Sequence, residues 1–367
     1  MRICFISHSA YGYFNPNVGY TGGGAQRQFS MLARRLTDEF DVHFIVGDYG
    51  QPQQQVIDGV TLHRSYAPDA DGSFLNSTRK FLQLYRTMRA VDADLYLTRS
   101  TPRKAIATYL LSHELGSSHL FHISHENHLL RPVDEFSPPF LALYKHVLSH
   151  SAAVVCQTDR QSKALSQFYG VNGTQIPNGY PTIETIPPYD EREYFLWVGR
   201  LSRTTKRPHL YLDLAENNPE KQFFLIGPEG RDKSYNRRIQ ARSNDLQNVK
   251  YIESIPPNQI DRYYREAIAL VNTSAVEGFP NIFLEAWRLG TPTLSLSLDL
   301  NQYLDDIDIL HASDDIHDMN EMLQQLADRP ELRKTYGERL RDQFETKYSM
   351  SAISDQYITL LDKINRE

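Results

Sequence analysis

Short apolar runs alternate with helix-patterned stretches along nearly the whole chain, and this rhythm confines it to a parallel α/β architecture. Strand-like runs are read at 2–7, 42–46, 60–63, 95–98, 120–124 and 152–156. Segment 175–188 then breaks the rhythm with four prolines and a glycine, a composition that favours an extended linker over a helix. A second series follows at 194–198, 222–226, 249–252, 268–272 and 293–296. With 367 residues the chain is long for one core and comfortable for two domains, expected at 1–180 and 181–347. Residues 350–364 read as an amphipathic helix. In open α/β sheets ligands gather beyond the carboxyl ends of the strands, so the loops that open each half are where chemistry is expected.

Composition removes several function classes. Hydrophobic residues at 40% and charged residues at 23% are ordinary for a soluble globular protein, and a net charge of -6 argues against a general nucleic-acid binder. No apolar run reaches the length of a membrane span, and the first residues lack the apolar stretch of a signal peptide, so a cytoplasmic protein is expected. Cys4 and Cys156 each sit in an apolar, strand-like run, where thiols act as small buried hydrophobes. No disulfide framework is implied.

The segment Glu277-Gly-Phe-Pro-Asn-Ile-Phe-Leu-Glu285 is the richest in chemical content. A buried strand is read at 267–274, Gly278 and Pro280 make a turn, and Gly290 followed by Pro292 stops a helix. Glu277 therefore falls in a strand-to-helix loop and Glu285 on the first turns of the helix. Backbone N–H groups of Phe279, Asn281 and Ile282 then point outward at a helix N-terminus, where anions are favoured. Two bare glutamates at this spacing are common in ordinary β-loop-α units; Gly-Phe-Pro-Asn between them is what favours a functional reading. The segment closely resembles the E-x7-E signature of the retaining, GT-B-fold nucleotide-sugar glycosyltransferases of glycosyl transferases group 1, family four.

That resemblance implies two Rossmann-like domains facing across a cleft, an N-terminal one for the acceptor and a C-terminal one for the donor. The segment 348–367 would cross back onto the first domain. It also selects residues. Arg200 and Lys206 lie in Val198-Gly-Arg-Leu-Ser-Arg-Thr-Thr-Lys206, after the second half's first strand, and match the family's Gly-Arg-Leu followed by a Lys. Fixed cations there would stabilise a departing diphosphate, making a metal unnecessary. Arg203 and Arg207 read as a solvated part of the same loop. The Gly22-Gly23-Gly24 run resembles the family's Gly-Gly loop and lacks the G-x-G-x-x-G pattern of a dinucleotide site. Glu277 would hold hydroxyls of the donor sugar and Glu285 the ribose.

His119, His122, His125 and His128 recur at intervals of three, which suggests a metal cluster. Residues three apart on a strand face opposite ways, however, so the four cannot converge without an unusual bend. The resemblance singles out His125, at the strand's end, as the residue beside the reacting bond, and no metal site is expected. Residues 74–90 place Phe74, Leu75, Phe81, Leu82, Tyr85 and Met88 on one helical face with Arg and Lys elsewhere. Packing against the sheet accounts for this pattern; an interfacial helix reaching a lipid acceptor at the inner face of the membrane shows much the same one.

The expected protein is thus a metal-independent hexosyltransferase without a cofactor, using a UDP or GDP sugar as co-substrate and a glycan or lipid-linked acceptor. A nucleotide-sugar 2-epimerase, a sugar phosphorylase and an idle nucleotide-sugar-binding subunit are the alternatives on the same fold. One departure from the family bears on the donor. Many relatives carry a Gly-Gly-x-x-Glu loop after the strand that follows Gly-Thr-Pro, and the run 293–302 contains no glycine. The sugar contacts of that loop do not carry over.

Overall fold

A computed structural model describes residues 1–19, 23–67, 74–99, 101–300, 303–304 and 312–366, the side chains of 74–77 and 131–134 excepted. The chain divides into two compact units, Met1–Gly179 with Met350–Glu367, and Tyr180–Ser349. No helix among the described residues is long and apolar enough to cross a membrane.

In unit 1 the strands are β1 (Arg2–Ile6), β2 (Asp41–Val46), β3 (Gln54–Ile57), β4 (Val60–Arg64), β5 (Leu95–Arg99), β6 (Ser118–His122), β7 (Ala153–Cys156) and β8 (Thr174–Gln175). They form one sheet in the order β3-β4-β2-β1-β5-β6-β7-β8, parallel throughout except for the β3–β4 hairpin. The two-residue period of a strand sends alternate side chains of β1 to opposite faces. Ile3 and Phe5 pack with Phe29, Leu32 and Phe44 on one side, while Cys4 and Ile6 pack with Ile45, Leu84 and Met88 on the other. Both cysteines are buried and free, as their apolar settings predict. Helix Gly24–Arg35 turns Phe29, Leu32 and Ala33 inward at helical spacing. Helix Met350–Arg366 lays Ile353, Tyr357 and Leu361 into the same cluster as Ile3 and Phe5.

Helix Phe74–Val91 corrects the sequence reading of its inner face. Leu84, Met88 and Val91 are buried against the sheet, whereas Phe81 and Leu82 remain 41% and 50% exposed. The covered stripe ends at Leu84, one turn later than the pattern of large side chains suggested. The side chains of Phe74 and Leu75 lie outside the described residues.

Unit 2 holds β9 (Tyr194–Val198), β10 (Gln222–Ile226), β11 (Val249–Ile252), β12 (Ala267–Asn272) and β13 (Thr293–Ser295), all parallel, in the order β11-β10-β9-β12-β13. Phe195 and Trp197 face a core with Tyr211, Phe223, Leu225 and Val271, and Tyr194 stacks on Phe224 at 4.0 Å across the other face. Chain order in this sheet runs third, second, first, fourth, fifth. Unit 1 repeats the scheme, with β1 lying between β2 and β5. Each sheet therefore has a switch point beside its first strand, where the connections leave to opposite faces and a crevice opens at the carboxyl ends.

Candidate active site

The switch point of unit 2 lies between β9 and β12, so the loop after β9 and the loop after β12 must meet. Hydrogen bonds tie them together. Trp197 Nε1 donates to Thr273 Oγ1 at 3.0 Å, Thr273 Oγ1 donates to the Lys206 carbonyl at 2.8 Å, and the Ala275 amide donates to the Thr205 carbonyl at 2.8 Å. This stitching brings the Lys206 ammonium onto the Glu277 carboxylate in a close ion pair. Glu277 Oε1 also accepts from Ser274 Oγ at 2.7 Å. The two side chains keep only 22% and 14% of their exposure, so the pair is screened less than one on the open surface. Lys206 and Glu277, 71 residues apart, are predicted site residues that the fold joins directly.

Arg200 is exposed in the same loop and donates to the Glu229 carbonyl at 3.2 Å. Its neighbour is a loop the sequence reading overlooked, 227–230 after β10. A Cβ on Gly227 would lie 1.7 Å from the Gly199 carbonyl oxygen, and one on Gly230 would lie 1.8 Å from that of Leu201. Only glycine lets the two loops run so close. The signal available in the sequence was a Gly-Pro-Glu-Gly run directly after an apolar strand.

Arg207 also departs from expectation. It was read as solvated, yet Arg207 Nε donates to the Thr273 carbonyl at 2.7 Å and its guanidinium reaches Ser297 and Asp314. Its backbone adopts φ 50°, a left-handed conformation that ordinary residues seldom take. Arg207 clamps the loops after β9, β12 and β13 and so fixes where its neighbour Lys206 stands. Arg203 is exposed, as predicted.

Glu277 precedes helix Asn281–Trp287, with Gly278 and Pro280 in the turn and Asn281 and Ile282 half-buried at its start. Phe279 packs edge-on against Tyr303 at 5.3 Å and leans on Tyr348 at 5.7 Å, which anchors the turn to its own unit. Glu285 is 7% exposed on this helix. Its Oε1 accepts from Tyr180 Oη at 2.9 Å and its Oε2 from Tyr264 Oη at 2.8 Å. Sequence reasoning missed both tyrosines, because Tyr180 comes from the Pro-rich segment and Tyr264 from another helix.

In unit 1, helix Gly24–Arg35 begins at the predicted glycines, with Gly22 outside the described residues. The Gly23 amide donates to Gln26 Oε1 at 2.9 Å, so the glutamine side chain satisfies one amide at the helix start. Half-buried His125 accepts the Asn127 amide at its Nδ1, 3.0 Å away. A backbone N–H can only donate, so in the neutral ring the proton sits on Nε2. The other histidines of the series separate as strand geometry predicts. His119 lies between Thr98 Oγ1 and Ser151 Oγ, each at 2.9 Å, while His122 turns to the opposite face beside Phe29. Burial pushes the His119 pKa down to about 3 and that of His122 well below the usual value.

Solved structures with this architecture include glycosyltransferases. Sucrose-phosphate synthase from Thermosynechococcus elongatus superposes with a TM-score of 0.79 at 16% identity, covering 100% of this chain and 99% of that one. HepE of Anabaena, solved in complex with UDP and glucose, gives 0.76 at 15% identity, covering 99% and 100%. At such identities the likeness is one of fold, and the fold is GT-B. Residues 182–343 match the family Glycosyl transferases group 1 and residues 22–183 match Glycosyltransferase Family 4. Together the two matches span 22–343, so each half of the chain carries a glycosyltransferase family domain. Among curated proteins, the lipopolysaccharide 1,6-galactosyltransferase of Salmonella typhimurium is 34% identical over 127 residues, 32% of this chain; the match spans about a third of that relative's length.

Proposed function

We propose that the protein is a retaining hexosyltransferase that moves a sugar from a nucleotide-diphosphate donor to a glycan or lipid-linked acceptor without a metal. The observation that carries this reading is the Lys206–Glu277 pair, held at the switch point of unit 2 by the loop that also carries Arg200. Two kinds of group are needed where a glycosyl phosphate bond breaks. Cations must receive the charge that grows on the departing diphosphate, and Arg200 and Lys206 of the loop after β9 are assigned to that role. A carboxylate must hold sugar hydroxyls so that the anomeric carbon faces its acceptor, and Glu277, itself braced by Ser274, serves that purpose.

In the transfer, the anomeric C–O bond to phosphate breaks with its electron pair leaving on the diphosphate. The acceptor hydroxyl oxygen bonds to carbon on the same face, and its proton passes to the departing phosphate oxygen. Glu285 is assigned to the ribose on the family resemblance. Phe279, Asn281 and Ile282 offer the turn's amides to the phosphates. The roles of Gly23, Gly24 and His125 rest on the family resemblance. The galactosyltransferase named above and the UDP and glucose bound by HepE support a UDP-hexose as the donor.

The test is to screen UDP and GDP hexoses for thermal stabilisation, then follow product by NMR with the donor that binds. An α-configured product from an α-configured donor supports the reading. Inversion, free epimerised nucleotide or a requirement for inorganic phosphate would each replace it.

A further inference from the structure

Along the far edge of unit 1 a groove of about 850 Å³ runs between the β3–β4 hairpin and helix Phe74–Val91. It shares no lining residue with the switch-point crevice of the same unit, a separate cavity of about 520 Å³ bordered by Lys80, Phe81, Arg99, Arg103 and Lys104. His63 and Arg64 of β4 and Arg79, Leu82, Gln83 and Arg86 of the helix line the groove, with no carboxylate among its described lining residues. Arg64 is answered by Asp48 at 3.7 Å. Arg79 and Arg86 are exposed, and their guanidinium groups make no ion pair or hydrogen bond among the described residues. They stand two turns apart on one helix face, about 10 Å along its axis.

A relay of side chains ends at this groove. Ile45 shares its face of β2 with His43 and packs on Leu84 and Met88, so the relay lies beneath the helix. Asp41, paired with Arg2 at 2.7 Å, accepts from His43 Nε2 at 3.0 Å. Burial lowers the pKa of both His43 and His63, the latter to about 4, so both rings are neutral at physiological pH. With its proton on Nε2, His43 can only accept at Nδ1, which lies 2.8 Å from His63 Nε2. The rings are 12° from parallel with centroids 5.0 Å apart, so they meet edge to edge in nearly one plane. His63 therefore commits its one ring proton to His43 and keeps a bare lone pair on Nδ1. That atom has no hydrogen-bond partner among the described residues and is not sealed from solvent, although His63 as a whole is only 8% exposed. A buried side chain seldom leaves such an acceptor unmet.

We propose that this groove binds an acidic glycan, its repeated carboxylates meeting Arg79 and Arg86 and a ring hydroxyl donating to His63 Nδ1. One small anion would have to draw the two guanidinium groups together against their like charge. Carboxylates repeated along a chain meet each where it stands, and each planar fork takes a carboxylate through two hydrogen bonds. Half-exposed Leu82, between the two arginines, offers contact to the C–H face of a sugar ring. The site requires neither donor nor transfer, so its test stands apart from the reading above.

Tetragalacturonate, maltotetraose and citrate are titrated calorimetrically into the full chain and into Arg79→Gln and Arg86→Gln, with folding checked by circular dichroism. Both substitutions fall at exposed positions, where the fold should tolerate them. Tetragalacturonate is expected to bind the wild type about tenfold or more tightly than maltotetraose, which has rings without charge, or citrate, which has charge without rings. Each substitution should weaken that binding about tenfold. In ¹⁵N-histidine spectra of the wild type, the bare His63 Nδ1 signal should shift as tetragalacturonate is added. Equal binding of maltotetraose or citrate would overturn the proposal, as would an affinity unchanged in both variants or a His63 signal that stays still. Binding to phosphatidylglycerol vesicles in place of tetragalacturonate would overturn it too, and would reassign the face to a membrane surface.

Discussion

At the switch point of unit 2 the cation Lys206 is answered by Glu277, whereas at that of unit 1 four cations gather with no carboxylate among the described lining residues. The strand order around both crevices is the same. Topology thus fixes where a ligand can lie, and the residues carried by the loops decide which one. A pre-formed ion pair costs little to keep in the absence of ligand and can exchange partners as charge moves. A lining in which one sign prevails favours a ligand of the opposite sign.

The units also differ in how they respond to acid, and here the largest effect is expected. Burial lowers the pKa of His8 and His119 to about 3, and of His63 and His128 to about 4, all in unit 1. Unit 2 holds only His209, His311 and His317 of the 13 histidines. Each folded value lies below the ordinary 6.5, so the unfolded chain binds more protons between them. The stability is full above about pH 6.5 and is lost as pH falls toward the folded values. Between pH 6.5 and 4.5, above the ordinary carboxylate range, unit 1 should lose on the order of 5 kcal/mol in sum and unit 2 far less. Trp197 and Trp287, the only tryptophans, both lie in unit 2. Their fluorescence should therefore change after circular dichroism in an acid scan, and coincident transitions would erase the contrast.

Next in size is the ion pair. Lys206→Met and Glu277→Gln should each lower kcat by roughly 100- to 1,000-fold, the range for losing one preorganised charge-stabilising group. If the pair acts as a unit, the double substitution should be little worse than either single one. Additive losses would mean that the two residues work separately. Glu285→Ala is expected to raise the donor Kd more than it lowers kcat. It should also cost about 2–4 kcal/mol of stability, because two buried tyrosyl hydroxyls lose their acceptor. Urea denaturation and UDP titration separate these effects, and an unchanged midpoint would argue that the tyrosines find other partners. The smallest expected effect is none: EDTA should leave the rate unchanged, and loss with rescue by manganese or magnesium would assign the diphosphate's charge to a metal.

The sheets were legible because their central strands are covered on both faces and so read as unbroken apolar runs, as in Phe195-Leu-Trp-Val198. The edge strand β3 was not, since Gln54-Gln-Val-Ile57 is half-exposed and polar. Its hairpin did carry a signal, Asp58-Gly59, whose positive φ values of 51° and 77° are those of a type I′ turn. In the site, the loop positions of Arg200, Lys206 and Glu277 and the helical position of Glu285 followed from strand ends and turn residues. The pairing of Lys206 with Glu277 did not, because it depends on β9 and β12 being neighbours across 71 residues. The tyrosines on Glu285 and the clamp made by Arg207 are likewise products of distant segments meeting. A neutral-looking helix face misled for the opposite reason: Phe81 follows the helical period but lies where the sheet no longer covers it, on the wall of the unit 1 crevice.

Helix Met350–Arg366 gives the order of synthesis a meaning. Ile353, Tyr357 and Leu361 complete the hydrophobic cluster around Ile3 and Phe5, yet a ribosome makes them only after every residue of unit 2. Each such side chain contributes roughly 1.5–3 kcal/mol when buried, a large share of what holds an average domain together. The nascent first unit must therefore wait, with one flank of its core uncovered, while the second is translated and free to fold. The half of the protein that is born first becomes whole last.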